Sequence, residues 1–348
     1  MQLPVLAILL ATVSPAMGQL NKLAKAAGLK YFGTAVDNPS LNNQAYMRIA
    51  RDSDEFGSIT PANGQKWSNT EGSQGRFSYG SGDAIASVAK QSGQLLRCHT
   101  LVWHNQLPSW GQSVVEVLSS VSDIAGSKQL VQQRSDATHH HGPHPKRCRA
   151  LQGPVLRLGC RERGFRGRRQ VSSKSQWVTP YHLPPVPCQD SPTPVYRAMG
   201  VDFITHSFKT AAQTDPSARL YYNDFNIERC CNAKINATLA MLKTVIAAGA
   251  PVHGVGMQGH SRVGKSPSKR EMKETMAKFS ELVDEVAFTE VDIRHTKLPV
   301  SAEDREQQGK DYVEVVGACL ETPKCVGVTV WDFTDQVRHA PRFGANLC

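Results

Sequence analysis

The residues best suited to chemistry lie at the ends of predicted strands. Residues 286–293 (Val-Ala-Phe-Thr-Glu-Val-Asp-Ile) have β-branched and aromatic side chains on both faces, which predicts a short buried strand. Its Glu290 carboxylate stands where a (β/α)₈ barrel places its reactive groups, at the carboxyl end of a strand. A single Thr-Glu pair is weak evidence, because a surface glutamate after a strand is far commoner, so the other strand ends must decide.

Amides, imidazoles and indoles follow the other predicted strands. Indole faces cover the apolar faces of sugar rings, while amides and imidazoles hydrogen-bond hydroxyl groups. A phosphate or nucleotide ligand would call for a glycine-rich loop or an arginine cluster instead. The pattern predicts a cleft for a neutral polyhydroxylated ligand. The residues are Asn63, Lys66, His99, Trp103, Gln258, His260 and Trp331.

Three histidines, His99, His104 and His260, offer an alternative reading as metal ligands. No carboxylate–histidine pair in the chain has the helical spacing typical of a metal site. We therefore expect neither a metal nor a cofactor.

The chain alternates short apolar strands with amphipathic helices, which predicts a parallel sheet. We favour a closed (β/α)₈ barrel over a doubly wound sheet, because no glycine-rich phosphate loop follows the first strand. Seven strands are visible, so the fourth is missing from the interval 104–218. The predicted strands are 29–36, 58–60, 94–103, 219–222, 252–257, 286–293 and 325–331, and the predicted helices are 42–56, 83–91, 201–212, 235–248, 266–283 and 302–320.

The interval that lacks a strand is also anomalous in composition. Residues 126–194 contain twelve of the 40 Lys and Arg residues but three of the 30 Asp and Glu residues, and nine of the 20 prolines. Nine of the ten net positive charges therefore belong to this segment, and the rest of the chain is nearly neutral. Residues 161–169 could be read as a nucleic-acid patch, but interleaved aromatic residues are nearly absent there. We expect no nucleic-acid partner and a segment without a packed core.

Several features suggest an exported protein. Residues 1–18 have a short apolar stretch and a small-residue cleavage site, which is typical of a signal peptide and too short to span a bilayer. Of the nine cysteines, Cys319 and Cys325 flank a predicted turn and are the best candidates for a disulfide. Asn236 begins a glycosylation sequon. Residues 19–348 are expected to form one domain, interrupted at 113–195.

Six motifs resemble the secreted fungal endo-1,4-β-xylanases of glycoside hydrolase family 10. The resemblance covers about residues 24–111 and 196–335. It implies a (β/α)₈ barrel that cleaves xylan with retention. We expect the fourth strand and the last helix of this barrel to be missing or disrupted in this chain. The motifs lie at residues 32–39, 59–67, 97–104, 220–228, 254–260 and 289–293.

The resemblance assigns roles to single residues. Glu290 would be the nucleophile, and His260 would orient it and reach sugar. The remaining strand-end residues named above would contact sugar, and Cys319 would bond Cys325. The expected partner is xylan or xylo-oligosaccharide, bound by an extracellular monomer that does not associate with membranes.

A retaining glycosidase needs a second carboxylate, roughly 5–5.5 Å from the first, as general acid and base. The family carries it in a Trp-Asp-Val-Val-Asn-Glu motif on the fourth strand, and this chain lacks that motif. Glu162 is the one acid near its place, but two flanking arginines would hold it ionised when it must be protonated. We therefore expect impaired activity. A non-catalytic xylan-binding protein and a barrel glycosidase for another β-glycan remain open.

The missing motif has an explanation at the level of codons. Synonymous codons exist for residues 151–165 that, read one base later, give Tyr-Lys-Gly-Gln-Cys-Tyr-Ala-Trp-Asp-Val-Val-Asn-Glu-Ala. The same shift over residues 134–150 permits an amphipathic helix in place of the basic run. Our hypothesis is that two introns were translated, near residues 113–126 and 177–195. The family pattern is also lost after Gln336, before the closing helix.

Overall fold

The computed structural model describes residues 18–103, 105–112, 174–176 and 202–334. In that part of the chain, strands and helices alternate. The strands are β1 (Tyr31–Val36), β2 (Ser58–Pro61), β3 (Leu95–Leu96), β4 (Lys174–Gln176), β5 (Tyr221–Asp224), β6 (Gly254–Met257), β7 (His260–Arg262), β8 (Glu285–Arg294) and β9 (Cys325–Val330). The helices are α1 (Leu20–Ala26), α2 (Gln44–Ala50), α3 (Trp67–Thr70), α4 (Gly80–Gln91), α5 (Asp202–Thr214), α6 (Ala233–Ala247), α7 (Lys269–Ser280) and α8 (Ala302–Leu320), with short 3₁₀ helices at Asn38–Asn42 and Ser109–Gln112.

All strand pairs between these elements are parallel, in the order β3-β2-β1-β9-β8-β6-β5-β4. This is the strand order of a (β/α)₈ barrel opened between its third and fourth strands. The predicted fold class, with disruption at the fourth strand, is confirmed. The strand β7 was not predicted; it pairs with the carboxyl-terminal half of β8 and extends the sheet above Glu290.

The fourth position is occupied by a strand that the sequence did not predict. The three residues of β4 pair in parallel with Tyr221, Tyr222 and Asn223 of β5. Backbone groups on an exposed strand edge can pair with any extended segment, whatever its side chains. The short β4 therefore reflects the open edge of β5 rather than a hydrophobic pattern in the segment itself.

Four predicted strands have bounds that are wrong by two residues or more, and the first and the sixth begin two residues later than expected, at Tyr31 and Gly254. The third was expected over 94–103 but is limited to β3, and Arg97 donates one further backbone bond to Ile59 at 2.9 Å. The apolar sequence continues beyond Arg97, but the backbone hydrogen bonds between strands do not. Among the described residues β3 has one neighbouring strand, β2, so no second strand extends the pairing. The fifth strand begins at Tyr221, two residues later than expected, which brings Asn223 and Asp224 into the sheet.

The core lies between the sheet and the helices that follow its strands. Phe208 of α5, Leu242 of α6 and Phe279 of α7 are buried against Val286 and Phe288 of β8. This arrangement follows from the apolar stripe on each helix, which must cover one side of the sheet. Of the remaining helices, α8 has the predicted bounds, 302–320. No helix in the described ranges combines the length and apolar character needed to cross a bilayer.

A separate group of side chains fills the amino-terminal end of the barrel. Tyr31, Tyr221, Ala287 and Val326 form a small buried cluster. The Tyr221 hydroxyl donates to Glu285, whose other oxygen lies 3.2 Å from the Lys30 Nζ atom. These contacts close the end of the sheet opposite to Glu290, so the site can open only at the carboxyl ends of the strands.

The start of α7 differs from the prediction. Ser266 and Pro267 were expected to cap the helix, but Ser268 is the N-cap and forms a capping box with Glu271. The Ser268 hydroxyl accepts the Glu271 N–H, and Glu271 accepts the Ser268 N–H at 2.9 Å. The sequence contains the Ser-x-x-Glu spacing of a capping box at Ser268 and Glu271. This spacing, and not the Ser266-Pro267 pair, predicts the start of the helix correctly.

Removal of this cap should destabilise the chain measurably. Ser268→Ala leaves N–H groups of the first turn without an acceptor, which typically lowers the free energy of unfolding by about 1 kcal/mol. Urea denaturation followed by circular dichroism measures the change. Ser266→Ala is the matched control, and a larger loss at Ser266 than at Ser268 would show that the cap is misplaced.

Candidate active site

Glu290 lies in the middle of β8 and is 3% exposed. The Glu290 N–H donates to the carbonyl of Gln258, the residue directly after β6, at 2.9 Å. Arg97 from the end of β3 and Asn223 from β5 reach the same carboxylate. The sheet thus brings three strand ends to one buried acid. The sequence predicts Glu290 at the end of its own strand, but β8 continues to Arg294, where it pairs with β7.

One carboxylate oxygen of Glu290 is fixed by a network of three partners. Asn223 donates its Nδ2 to Glu290 Oε1 at 2.8 Å, and Arg97 Nη2 lies 3.5 Å from the same oxygen. Thr289 donates its hydroxyl to Asn223 Oδ1 at 2.6 Å, and Arg97 donates to the Thr289 carbonyl at 2.6 Å. Because each partner is held by another, Glu290 has little freedom to rotate.

The second oxygen faces an imidazole. His260 Nε2 lies 3.5 Å from Glu290 Oε2, and His260 Nδ1 lies 2.9 Å from Asp292 Oδ1. Burial alone would lower the pKa of His260, but the hydrogen bonds and charges of Asp292 and Glu290 raise that pKa to about 10. His260 is therefore a cation at neutral pH, placed between two carboxylates.

These neighbours keep Glu290 ionised. Burial alone raises the pKa of Glu290, and His99, His260 and Arg97 outweigh it and lower that pKa to about 2. Burial lowers the pKa of His99 to about 3, so at neutral pH His260 and Arg97 supply the positive charge. A buried, ionised and immobilised carboxylate can attack an electrophilic carbon without first losing a proton.

Aromatic and imidazole rings line one side of this acid. The His99 and Trp331 rings meet edge to face with centroids 5.4 Å apart, and His260 meets the same indole at 6.3 Å. His99 Nδ1 lies 4.0 Å from Glu290 Oε1. His99, His260 and Trp331 therefore form one wall, in which the ring nitrogens of both histidines approach Glu290 rather than a common metal position.

Asn63, Lys66 and Trp103 form a second polar group. Lys66 donates from Nζ to Asn63 Oδ1 at 3.2 Å, and this ammonium lies 4.5 Å from the centroid of the Trp103 ring. Asp37 accepts from Asn63 Nδ2 at 2.7 Å. Burial lowers the pKa of Lys66 to about 8, although Glu290 and Asp37 act in the opposite direction. The group offers hydrogen-bond donors beside an indole face.

Sequence reasoning missed three residues around Glu290: Arg97 and Asn223, which contact its carboxylate, and Asp292, which pairs with His260. All three fall within the motifs used for the resemblance, but they were not singled out. Asn223 and Asp292 are polar residues on otherwise buried strands, which is the signal that would have found them. Arg97 is 1% exposed, and a fully buried arginine needs a buried acid partner, which could have pointed to Glu290.

The remaining predicted residues lie where expected. Gln258 is buried and lies at the end of β6, and Asn236 is exposed in the first turn of α6. The structure joins Cys319 and Cys325 by a disulfide between α8 and β9. His104 and Glu162 lie outside the described residues.

Removal of the Asp292 charge should lower the pKa of His260. Asp292→Asn deletes the carboxylate that hydrogen-bonds the imidazole, so the pKa should fall from about 10 toward the ordinary value. The protonated imidazole stabilises the fold fully below about pH 6.5, and this contribution is lost as the pH rises through the folded pKa. In the Asp292→Asn variant this stabilising contribution of protonated His260 should be lost at a lower pH. Titration of the His260 ring by NMR measures the shift, and an unchanged pKa would exclude Asp292 as the main partner.

A parallel barrel whose buried glutamate is surrounded by imidazole, indole and amide side chains has the make-up of a barrel glycosidase site. The sequence profile of Glycosyl hydrolase family 10 matches residues 19–133 and 188–343, and the chain belongs to this family. The match leaves out residues 134–187 and continues past Gln336 to residue 343, beyond the predicted end of the resemblance.

Named relatives agree with the profile. Endo-1,4-beta-xylanase 1 of Humicola insolens is 38% identical over 340 residues, which cover 97% of this chain and 71% of that protein. Endo-1,4-beta-xylanase D of Talaromyces funiculosus is 40% identical over 326 residues, covering 94% and 71%. The crystal structure of a family 10 xylanase from a Bispora species with xylobiose superposes with a TM-score of 0.71 at 27% identity, covering 94% of this chain and 90% of the other. By family, therefore, the chain is an endo-1,4-β-xylanase.

Proposed function

We propose that this chain is an extracellular endo-1,4-β-xylanase whose nucleophile is Glu290 and whose activity is impaired. The observation that supports Glu290 is its network: one oxygen fixed by Asn223 and Arg97, the other paired with cationic His260. Attack by such a carboxylate on the anomeric carbon forms a glycosyl-enzyme intermediate, the first half of a retaining reaction.

The sugar units would be held by the two groups that flank this acid. Lys66 and Asn63 present donors and acceptors to hydroxyl groups beside the Trp103 ring, and Trp331 covers the other wall. His99 and Gln258 are buried next to Glu290 and would supply further hydrogen-bonding groups. This arrangement suits a neutral polysaccharide such as xylan, since the site pairs indole faces with hydroxyl-binding side chains.

Both halves of the reaction need a second carboxyl group, first as the acid that protonates the leaving oxygen and then as the base that activates water, and this sequence does not provide it in the family motif. Glu228 is another buried glutamate, and burial raises its pKa. Its carboxylate accepts the Gly259 N–H at 2.8 Å, and Gly259 has a φ of 78° between Gln258 and His260. We assign Glu228 to support of that turn rather than to proton transfer.

The shifted reading frame accounts for the missing acid. Its support is that the family match omits residues 134–187, which contain the stretch where the alternative frame restores the motif. A second support is that, among the described residues, only the three-residue β4 pairs with β5 at the fourth barrel position, where the restored strand belongs. The same proposal includes export after a signal peptide at 1–18, a disulfide at Cys319–Cys325, glycan on Asn236 and a monomeric state.

Activity and binding should separate in the Glu290→Gln variant. The neutral amide cannot attack, so the slow hydrolysis of xylan expected of this chain should fall to the level of a protein-free control. Binding of xylohexaose, measured by calorimetry, should persist because the contacts of Asn63, Lys66 and Trp331 remain. Equal residual hydrolysis by the two chains would remove Glu290 from the mechanism.

The other open readings give different results in the same assays. A non-catalytic xylan-binding protein would show binding without any hydrolysis that depends on Glu290. A barrel glycosidase for another β-glycan would bind and cleave cello-oligosaccharides in preference to xylo-oligosaccharides of equal length. Either result would replace the proposed activity.

A further inference from the structure

Two adjacent cysteines lie in the connection from β5 to α6 and have no part in the mechanism above. Cys230 and Cys231 directly precede Asn232, the N-cap of the fifteen-residue helix α6. The structure joins the two sulfur atoms in a disulfide. Cys231 is exposed and Cys230 is partly exposed, so solutes can reach the pair.

Two charged side chains of α7 face these sulfur atoms. One ligand atom each from Cys230, Cys231 and Glu274 lie within 4.8 Å of one another. Lys278, one turn further along α7, donates from Nζ to Cys231 Sγ at 3.4 Å. The Glu274 carboxylate and the Lys278 ammonium group of α7 thus lie beside the two sulfur atoms of the connection before α6.

We propose that, when reduced, Cys230, Cys231 and Glu274 bind a thiophilic divalent metal ion of the Zn²⁺ and Cd²⁺ class. Thiolate and carboxylate are standard ligands of such ions, and three protein ligands leave the fourth tetrahedral position to water. The Lys278 ammonium and the first N–H groups of α6 favour the thiolate form that a metal needs.

The connection is held against α7 by contacts that do not involve sulfur. Arg229 Nη1 lies 3.0 Å from Glu271 Oε1, and Arg229 Nη2 donates to the Lys265 carbonyl at 3.2 Å. Asn232 donates to the Arg229 carbonyl at 3.2 Å and accepts the Ile235 N–H. Because these contacts survive reduction, the two thiols should stay beside Glu274.

The reaction balances with a dithiol as the named reductant. The dithiol transfers two electrons and two protons to the Cys230–Cys231 bond and becomes a cyclic disulfide. The metal ion then displaces the two thiol protons as it binds. Exposed disulfides are reduced more readily than buried ones. The Cys319–Cys325 pair is 0% and 5% exposed and should remain oxidised under mild reduction, which makes it an internal control.

The test is a Cd²⁺ titration of the full chain after mild reduction with dithiothreitol and removal of the reductant. Cys148, Cys160, Cys188 and Cys348 are replaced by serine so that they cannot contribute, while buried Cys98 is kept. The thiolate-to-cadmium absorption in the ultraviolet should rise to one equivalent per chain. Zn²⁺ should displace it, and alkylation with mass spectrometry should find Cys230 and Cys231 reduced.

Two variants decide the assignment. Cys231→Ser should abolish the absorption, and Glu274→Gln should weaken the binding of Cd²⁺ by at least about tenfold, the scale on which changes around a metal site act. Circular dichroism verifies that each variant folds as the parent does. An undiminished signal in Cys231→Ser, or the same affinity in Glu274→Gln, would overturn the proposal. Arg270→Gln, which removes a cation paired with Glu274 on its solvent side, should leave the signal in place.

Discussion

A chain translated from the frame-restored message should hydrolyse xylan ~10²–10⁴-fold faster than the chain described here, because proton transfer by a positioned acid contributes a factor of that size. The restored segment would supply the Trp-Asp-Val-Val-Asn-Glu strand beside β5, in the place now taken by β4. It would put a second carboxylate across the cleft from Glu290. Initial rates of reducing-sugar release from xylan, at equal concentrations of folded protein, measure the difference.

The control for this experiment changes the restored motif alone. Glutamine in place of its glutamate keeps the strand and removes the acid, so the rate should return to the level of the present chain while the fold remains restored. If the glutamine form keeps the full rate, the gain comes from folding and not from the acid. If the restored chain is no faster than the present one, the missing motif does not explain the impairment.

The second large effect concerns a substrate that needs no proton donor. With 2,4-dinitrophenyl β-xylobioside, the present chain should release about one equivalent of dinitrophenol per folded molecule in a burst and then stall. The leaving group departs unprotonated, so attack by Glu290 proceeds, but water then lacks a base and the glycosyl-enzyme persists. Stopped-flow absorbance measures the burst, and intact-mass spectrometry should find the added xylobiosyl group.

Two variants test whether the burst comes from the proposed residues. Glu290→Gln should remove both the burst and the added mass, because no nucleophile remains. Glu228→Gln should retain the burst, because Glu228 supports the turn at Gly259 and does not transfer protons in this account. Steady turnover without a burst in the present chain would show that a base operates that the account does not include.

Much of the fold could be predicted because periodicity and strand–helix alternation are local signals. The bounds of α8 and the core of β8 follow from apolar spacing. The limits of β3 could not be predicted, because a strand ends where its ladder partner ends and not where its apolar residues end. For the same reason β4 could not be foreseen, since its position depends on the open edge of β5.

The part of the site that could be predicted consists of side chains that are recognisable one by one in the sequence. Glu290, His260 and Trp331 stand out because polar or indole groups interrupt the ends of apolar strands. The relay from Thr289 through Asn223 to Glu290 could not be predicted, because it depends on the distance between β5 and β8, two strands far apart in the sequence. The same holds for the Cys230–Cys231 pair and Glu274, which lie on different elements.

The nucleotide sequence of the mature transcript across residues 112–196 tests directly whether two translated introns removed the second carboxylate. We expect a spliced message in which both introns are absent and the segment after the third strand encodes Tyr-Lys-Gly-Gln-Cys-Tyr-Ala-Trp-Asp-Val-Val-Asn-Glu-Ala. A message that encodes residues 126–194 in the present frame would contradict it, and Glu290 would then belong to a protein that has no second catalytic carboxylate in the family motif.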